Sequence, residues 1–317
     1  MMLSRSQIGT SFRFLLPSSR SLIAVLIISA AATSAGAQTQ ASCQFLEFNR
    51  RFLLNEGHRY LNPEGINDNG AVVGEAFDDA DFIVRGFTRW PDGSITYYRR
   101  NNPETYFFDK SDTGITVGVT GPSFAAASTT GTPFFLKGST FTPFTMTIGR
   151  KIYKKFTVRS INKWGTTVGA FTDASGNRHA FKRLSSGKAA ALNFPGAART
   201  EAFAINDNGT IVGYYSKTAS ATGFRHGFIY SNGQWAKLDF PNSNLETQLT
   251  GISDANLIIG TTIKGSNATG SFLYKSGTFK KIVMPNSNVS TSANGISPGK
   301  NLITGFSGYK GFIATCK

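Results

Sequence analysis

The sequence predicts an all-β fold in which six small four-stranded sheets form a ring, and three observations support it. A glycine that closes the second strand of a repeat recurs at intervals of 44 to 51 residues, at Gly74, Gly118, Gly169, Gly213, Gly260 and Gly305. Each repeat holds four short β-rich runs, separated by Asn-Asp-x-Gly and Asn-Gly sequences that suit tight turns. The chain has 34 glycines and 27 phenylalanines but only 16% charged residues. Periods of about 40 to 50 residues with four strands each are typical of β-propeller blades.

The amino terminus, residues 1–37, has the features of a signal peptide. Three arginines precede an apolar run from Leu22 to Ala32, and Ala35-Gly36-Ala37 offers the small residues that a signal peptidase reads. An uncleaved anchor is the alternative, but the run is shorter than the roughly 20 apolar residues that cross a bilayer. We expect cleavage near Ala37, no transmembrane segment in the mature chain, and a secreted or periplasmic protein.

The fourth repeat shows the predicted blade most clearly. Its four strands are predicted at Ala202 to Asn206, Thr210 to Ser216, His226 to Ser231 and Gln234 to Phe240. If the first strand of each repeat is innermost, the Asn-Asp-x-Gly turns lie at one end of the ring, and the variable inserts and blade-to-blade crossings lie at the other. Residues 38–317 are therefore expected to form one propeller domain of six repeats.

The two cysteines indicate how the ring closes. The sixth repeat supplies only three strands, and the segment beginning at Cys43 matches a fourth strand. In this alignment Cys316 takes the place of Asn232 and Cys43 that of Trp235, on the two sides of a hairpin turn. A Cys43–Cys316 disulfide would replace that turn, which export to an oxidising compartment permits. Two free thiols and an open β-solenoid are the alternatives; a strand that completes the last repeat favours closure.

The repeat also resembles a known family. Ile205 to Gly213 reads I-N-D-N-G-T-I-V-G, and the third strands contain His179-Ala180-Phe181 and His226-Gly227-Phe228. This pattern resembles the HAF repeats of bacterial extracellular proteins and covers nearly the whole mature chain. The resemblance implies a secreted, β-propeller-like protein and supplies no catalytic residues.

A basic residue recurs immediately before the Gly-Phe or Ala-Phe pair of the third strand. The ring would place these residues at equivalent points, where they could bind an anionic ligand with two neighbouring arginines. The six predicted ligand-binding residues are Arg85, Arg178, His179, Arg225, His226 and Lys310. The second and fifth repeats have Thr132 and Gly270 instead. The alternative is a repeated structural role, such as a hydrogen bond to a neighbouring loop.

The net charge favours an anionic partner. The chain carries a formal charge of +15, which falls to +12 without the three arginines of the signal peptide, because no acidic residue precedes Glu47. Such a charge favours association with an anionic polysaccharide or cell surface. Nucleic acid is not expected, because the chain lacks a recognised binding module and is exported. We therefore expect a monomeric binding or scaffolding module. One alternative is a protein-protein interaction module in which exposed aromatic residues such as Tyr60, Tyr106 and Tyr153 form the contact surface.

Catalysis has less support in the sequence. With only three histidines, no Ser-His-Asp or Cys-His pattern stands out, and we expect no cofactor and no metal. The alternative function is a polysaccharide hydrolase that uses two carboxylates, with Glu104 and Glu246 as candidates. Both lie in predicted crossings, Arg99 to Tyr106 and Asn242 to Thr250.

Overall fold

The computed structural model describes residues 39–49, 51–54, 57–78, 82–99, 104–123, 131–221 and 223–317. The predicted signal peptide, residues 1–37, and its cleavage site near Ala37 lie outside these residues. No helix in the described ranges is both long and apolar enough to cross a membrane.

The described ranges contain 27 strands. The first ten are β1 (Cys43–Asn49), β2 (Arg51–Leu54), β3 (Gly57–Ile66), β4 (Val72–Asp78), β5 (Val84–Arg89), β6 (Ile95–Tyr98), β7 (Glu104–Lys110), β8 (Thr116–Gly121), β9 (Thr132–Lys137) and β10 (Thr140–Pro143). The next ten are β11 (Met146–Ile148), β12 (Lys151–Tyr153), β13 (Thr157–Ile161), β14 (Thr167–Thr172), β15 (Arg178–Arg183), β16 (Ala189–Leu192), β17 (Arg199–Ile205), β18 (Ile211–Ser216), β19 (His226–Ser231) and β20 (Gln234–Lys237). The last seven are β21 (Glu246–Ile252), β22 (Ile258–Lys264), β23 (Asn267–Lys275), β24 (Thr278–Ile282), β25 (Ser292–Ile296), β26 (Leu302–Ser307) and β27 (Lys310–Cys316).

These strands form a six-bladed β-propeller, as the repeat predicts. The blades are the antiparallel sheets β3–β6, β7–β10, β13–β16, β17–β20, β21–β24, and β25–β26–β27–β1. The first strand of each blade is innermost, and each inner strand contacts the inner strands of the two adjacent blades, including β25 with β3. Two additions lie outside the repeat: β2 extends the first sheet beside β3, and β11 and β12 form a hairpin between the second and third blades.

The amino-terminal strand completes the last blade. β1 pairs with β27 from Cys43 opposite Cys316 to Asn49 opposite Lys310, and a Cys43–Cys316 disulfide joins their ends. The pairing confirms the predicted bond but shifts the predicted alignment by two residues. Phe312 lies opposite Glu47 as Phe228 lies opposite Lys237, so Cys43 occupies the place of Gly233 and not that of Trp235. The disulfide therefore sits at the tip of the missing turn.

A layer of phenylalanines fills the space between the blades. The third strand of each blade contributes one fully buried ring, and the six are Phe87, Phe134, Phe181, Phe228, Phe272 and Phe312. The second strands are buried on both faces; every residue of β8 and of β18 is buried. This explains why they read as continuous apolar runs and not as alternating patterns.

The repeated glycine of the second strand is required by a close backbone approach. A Cβ on Gly213 would lie 2.0 Å from the carbonyl oxygen of Glu201, and one on Gly169 would lie 2.0 Å from that of Thr157. Opposite each glycine, the inner strand carries a β-bulge, where the register skips one residue. The glycine period thus marks the position of the bulge in every blade.

The Asn-Asp-x-Gly turns link adjacent blades at one end of the ring, here called the turn end. The Asp254 carboxylate accepts a hydrogen bond from the Asp207 backbone N–H at 2.9 Å, and Asp207 accepts one from Lys163 N–H at 2.9 Å. The Asn206 side chain donates to the carbonyl of Ser253 in the next blade at 2.9 Å. The motif is therefore a turn and an inter-blade clamp.

The inner strands begin earlier than the sequence indicates. β17 starts at Arg199 and not near Ala202, while β7 and β21 start at Glu104 and Glu246. The predicted crossings Arg99 to Tyr106 and Asn242 to Thr250 thus contain the first residues of inner strands. The bulge interrupts the alternation of buried and exposed side chains within these inner strands. The residues before the bulge therefore do not show a strand pattern in the sequence.

Candidate functional site: the central channel

The central channel is lined by one bulged residue from each blade. The bulge adds one residue to the inner strand, and the six added residues are Glu64, Phe108, Arg159, Phe203, Thr250 and Asn294. All six border a cavity of about 320 Å³ along the axis of the ring. That volume is at the lower end of the range for small-molecule pockets.

Arg159 lies between two aromatic rings in this channel. Its guanidinium is 4.5 Å from the centroid of Phe108 and 5.0 Å from that of Phe203, which are the bulged residues of the adjacent blades. Burial lowers the pKa of Arg159, but a guanidinium stays charged in proteins. Its Nε atom is buried and has no hydrogen-bond partner. The channel therefore holds a charge that the rings stabilise through cation–π contacts.

Two glutamates of the first blade face the same region. Burial, followed by the neighbouring Glu75, raises the pKa of Glu64 well above its ordinary value. Burial likewise raises the pKa of Glu75 to about 7, although the Asn62 side chain donates to Glu75 Oε1 at 3.4 Å. Burial thus favours the neutral form of the Glu64 carboxyl, and Glu75 titrates near neutral pH. Among the carboxylates near Arg159, Glu201 of the fourth blade contributes most to keeping the guanidinium charged.

A buried ionic cluster lies around Glu201. Arg199 donates to Glu201 Oε1 from Nε at 2.9 Å and from an Nη atom at 2.5 Å, and the Tyr214 hydroxyl donates at 2.7 Å. Arg178 donates to Glu201 Oε2 at 3.4 Å. Burial alone would raise the pKa of Glu201, but Arg178 and Arg199 lower it to about 2. Glu201 is thus held ionised, in contrast to Glu64.

The structure divides the predicted basic residues into two groups. Arg178 belongs to the cluster around Glu201, and Arg225 borders the channel cavity 3.8 Å from Glu246 Oε2. The other four lie on third strands, at equivalent register positions: Arg85 opposite Ala76, His179 opposite Phe171, His226 opposite Tyr215 and Lys310 opposite Ser307.

Each of these four side chains has an acceptor within its own blade. Arg85 lies 3.5 Å from Asp78, His226 Nδ1 lies 2.7 Å from Asp239, and Lys310 Nζ lies 2.7 Å from Glu47. His179 contacts both Asn193 and Asp173. Ligand binding by this ring stays a prediction, and so does the alternative of a repeated structural role.

The two candidate catalytic carboxylates occupy equivalent places. Glu104 and Glu246 are the first residues of the inner strands β7 and β21. Glu246 pairs with Arg225, and the Tyr106 hydroxyl donates to Glu104. Both carboxylates are therefore engaged within the protein, and catalysis by them stays a prediction. No group of three His, Cys, Asp or Glu residues suited to a metal ion occurs among the described residues.

The sequence analysis did not single out Glu64, Glu75 or Arg159. A signal for the first and last was present. When the repeats are aligned on the first residue of the Asn-Asp-x-Gly turn, the position three residues earlier reads Glu, Phe, Arg, Phe, Thr and Asn. The residue type at this position changes from repeat to repeat, whereas the next two positions are apolar or small in every repeat except the second, which has Asp109 and Lys110.

Comparisons with known proteins agree with the fold. The chain is similar to the virginiamycin B lyase of Staphylococcus aureus, with a TM-score of 0.51, 11% sequence identity, and coverage of 86% of this chain and 99% of that one. It is also similar to the solved structure of a putative gluconolactonase, with a TM-score of 0.51, 12% identity, and coverage of 88% and 94%. No protein-family model and no curated protein matches the sequence.

The fold and the comparisons define the class of the protein. It is a disulfide-closed six-bladed β-propeller, and its fold is similar to those of the two solved structures. Sequence identities of 11% and 12% support a shared fold and nothing further. The disulfide indicates that the protein folds in an oxidising compartment.

Proposed function

We propose that the protein is an exported β-propeller binding module whose ligand is an anionic glycan or cell-envelope polymer. Its export rests on the sequence of residues 1–37, on the disulfide and on the resemblance of the repeats to the HAF family. The contact surface is an exposed basic patch, called here the hairpin patch, made of Arg150, Lys151, Lys154, Lys155 and Lys188.

The hairpin patch is the observation that carries this proposal. The β11–β12 hairpin interrupts the repeat between the second and third blades, and Thr147 of β11 forms a bridge with Lys188 of the third blade. All five basic residues are exposed. None forms a salt bridge or a side-chain hydrogen bond with another described residue. Their charges are therefore available to a ligand.

The charge in this region is unbalanced over a long stretch of sequence. Residues 113–172 contain seven lysines and arginines and no aspartate or glutamate. The hairpin is also firmly attached, because Met146 is buried and the Tyr153 ring lies 4.7 Å from that of Phe171. Ile152 is 60% exposed beside these charges. A fixed basic surface with an apolar centre suits a polymer that carries acidic groups on an otherwise less polar chain.

A polymer-binding experiment tests the proposal. The probes are polygalacturonate and alginate, with neutral dextran as the control polymer. We expect saturable binding of the acidic polymers that weakens steeply with salt. Changing Arg150, Lys151, Lys154 and Lys155 to Gln should weaken it at least tenfold. The matched control removes four exposed charges elsewhere, with Lys264, Lys275, Lys281 and Lys300 changed to Gln.

The comparison of variants separates the possible results. An equal loss of affinity in both four-charge variants would mean non-specific attraction and would contradict the hairpin patch. A third variant, with His179, His226 and Lys310 changed to Ala, tests the ring predicted from the third strands. Loss of binding in that variant alone would move the site to the ring.

A further inference from the structure

The channel contains a cation whose hydrogen-bonding capacity is unused. Arg159 makes cation–π contacts with Phe108 and Phe203, but it forms no hydrogen bond or salt bridge with a described residue. Cation–π contacts do not use the N–H donors of a guanidinium, which lie in its plane. Because Arg159 borders the cavity, these donors are accessible from the channel.

A second arginine in the same molecule shows that this condition is unusual. The Arg183 guanidinium also contacts two rings, 4.8 Å from the centroid of Phe144 and 5.7 Å from that of Phe135. These two rings stack on each other, so the guanidinium does not lie between them. Its donors, however, bind the carbonyl oxygens of Thr145 at 2.9 Å and Leu184 at 3.2 Å. Arg183 therefore combines cation–π contacts with hydrogen bonds to backbone carbonyls, whereas Arg159 makes cation–π contacts alone.

Other groups of the channel complement a planar anion. The Gln248 side chain borders the same cavity and forms no hydrogen bond with a described residue, so its amide can donate. Glu64 also borders the cavity, and burial raises its pKa, which favours the neutral form of this carboxyl in the channel. The cavity of about 320 Å³ admits a ligand of monosaccharide size.

We propose that the channel binds a small organic carboxylate through Arg159, with Gln248 as a second donor. A carboxylate matches the planar fork of a guanidinium and accepts two parallel hydrogen bonds from it. The fixed rings of Phe108 and Phe203 orient the guanidinium before the ligand arrives, which reduces the ordering cost of binding. This site is separate from the hairpin patch, and neither proposal depends on the other.

Calorimetric titration of the full mature chain tests this site. The probes are acetate, lactate, gluconate and glucuronate, with glucose as the uncharged control. We expect one-to-one binding of at least one carboxylate at millimolar affinity or tighter, and none of glucose. Arg159→Gln should weaken that binding at least tenfold, and Arg159→Lys should weaken it because a lysine cannot form the bidentate contact. Gln248→Ala should weaken it severalfold.

Two controls keep the test decisive. Arg183→Gln removes another arginine that makes two cation–π contacts but does not border the cavity, and it should leave carboxylate affinity unchanged. The four-residue hairpin variant should also retain it, so a failure of the polymer-binding proposal is distinguishable from a failure of this one. If Arg159→Gln does not fold, Arg159→Lys and Gln248→Ala decide the outcome. The proposal is overturned if no carboxylate of the panel binds the folded protein, or if these variants bind as the unchanged protein does.

Discussion

Two layers of this propeller follow the same sixfold repeat, but one keeps the same residue type in every blade and the other changes it. In the layer between the blades, the repeated position is occupied by phenylalanine six times, and all six rings are fully buried. In the channel layer, the repeated bulge carries Glu, Phe, Arg, Phe, Thr and Asn. In both layers the backbone position is equivalent from blade to blade. Constant residues therefore mark what each blade needs in order to pack, and varied residues mark where the ring can acquire a function.

Removing one ring from each layer should produce the largest difference. Phe228 is fully buried, and its ring lies 5.1 Å from that of Trp235. We expect Phe228→Ala to lower the free energy of unfolding by about 3 to 5 kcal/mol, through lost burial and a cavity. Phe203 borders the open channel, so Phe203→Ala should cost about 1 to 2 kcal/mol, less than a fully buried ring. Urea denaturation followed by fluorescence measures both. Equal losses would contradict the distinction between the layers.

The repeated glycine tests whether the bulge is built into each blade. Gly213→Ala would place a methyl group against the Glu201 carbonyl. Relief requires the inner strand to move, and we expect a loss of about 2 to 3 kcal/mol, as for overpacking of a tight core.

Gly209 provides the matched control for that substitution. It has a positive φ of 82° in the turn, but a Cβ there would meet only the end of the Lys182 side chain, at 3.9 Å. Gly209→Ala should therefore cost about 1 to 2 kcal/mol, from backbone strain alone. If both alanine variants lose the same stability in urea denaturation, the close approach at Gly213 is not the reason for the repeated glycine.

The residues that stay constant from blade to blade are also the ones from which the fold could be predicted. The glycine period, the turn sequences and the phenylalanines of the third strands led to six blades, four strands per blade and the Cys43–Cys316 bond, all of which the structure confirms. The blades and their strands repeat because the same local packing recurs six times, and the disulfide occurs once, where the chain termini interrupt the last blade. A repeated residue can be recognised by comparing one copy with the next.

Comparison of the repeats shows that the bulged position varies, but it does not show that this position lines a channel, for two physical reasons. The bulge adds one residue to each inner strand and breaks the alternation of buried and exposed side chains, so Glu104 and Glu246 read as loop residues. The meeting of Arg159 with Phe108 and Phe203 brings together three blades whose residues are 51 and 44 positions apart in sequence. The sequence shows each of these residues singly, and only ring closure makes them neighbours.

The third prediction concerns two buried glutamates with opposite pKa shifts. Burial raises the pKa of Glu75 to about 7, whereas Arg178 and Arg199 overcome burial and lower that of Glu201 to about 2. Below its ordinary pKa, near 4.5, Glu75 is protonated in both the folded and the unfolded chain. Between about pH 4.5 and 7, the unfolded chain releases this proton while the folded chain keeps it, so the contribution of Glu75 to stability falls as the pH rises.

Glu75→Gln should therefore stabilise the protein at pH 8 and have little effect at pH 4. The expected gain at pH 8 is on the order of 1 to 3 kcal/mol, given the size of the shift. Glutamine keeps the oxygen that accepts from Asn62, so the change removes the charge with little loss of contact. Glu201→Gln is the control of opposite sign, because it leaves Arg178 and Arg199 without their carboxylate and should destabilise the protein at pH 8. Thermal unfolding at the two pH values measures both, and a loss of stability in Glu75→Gln at pH 8 would mean that the Glu75 charge supports the channel.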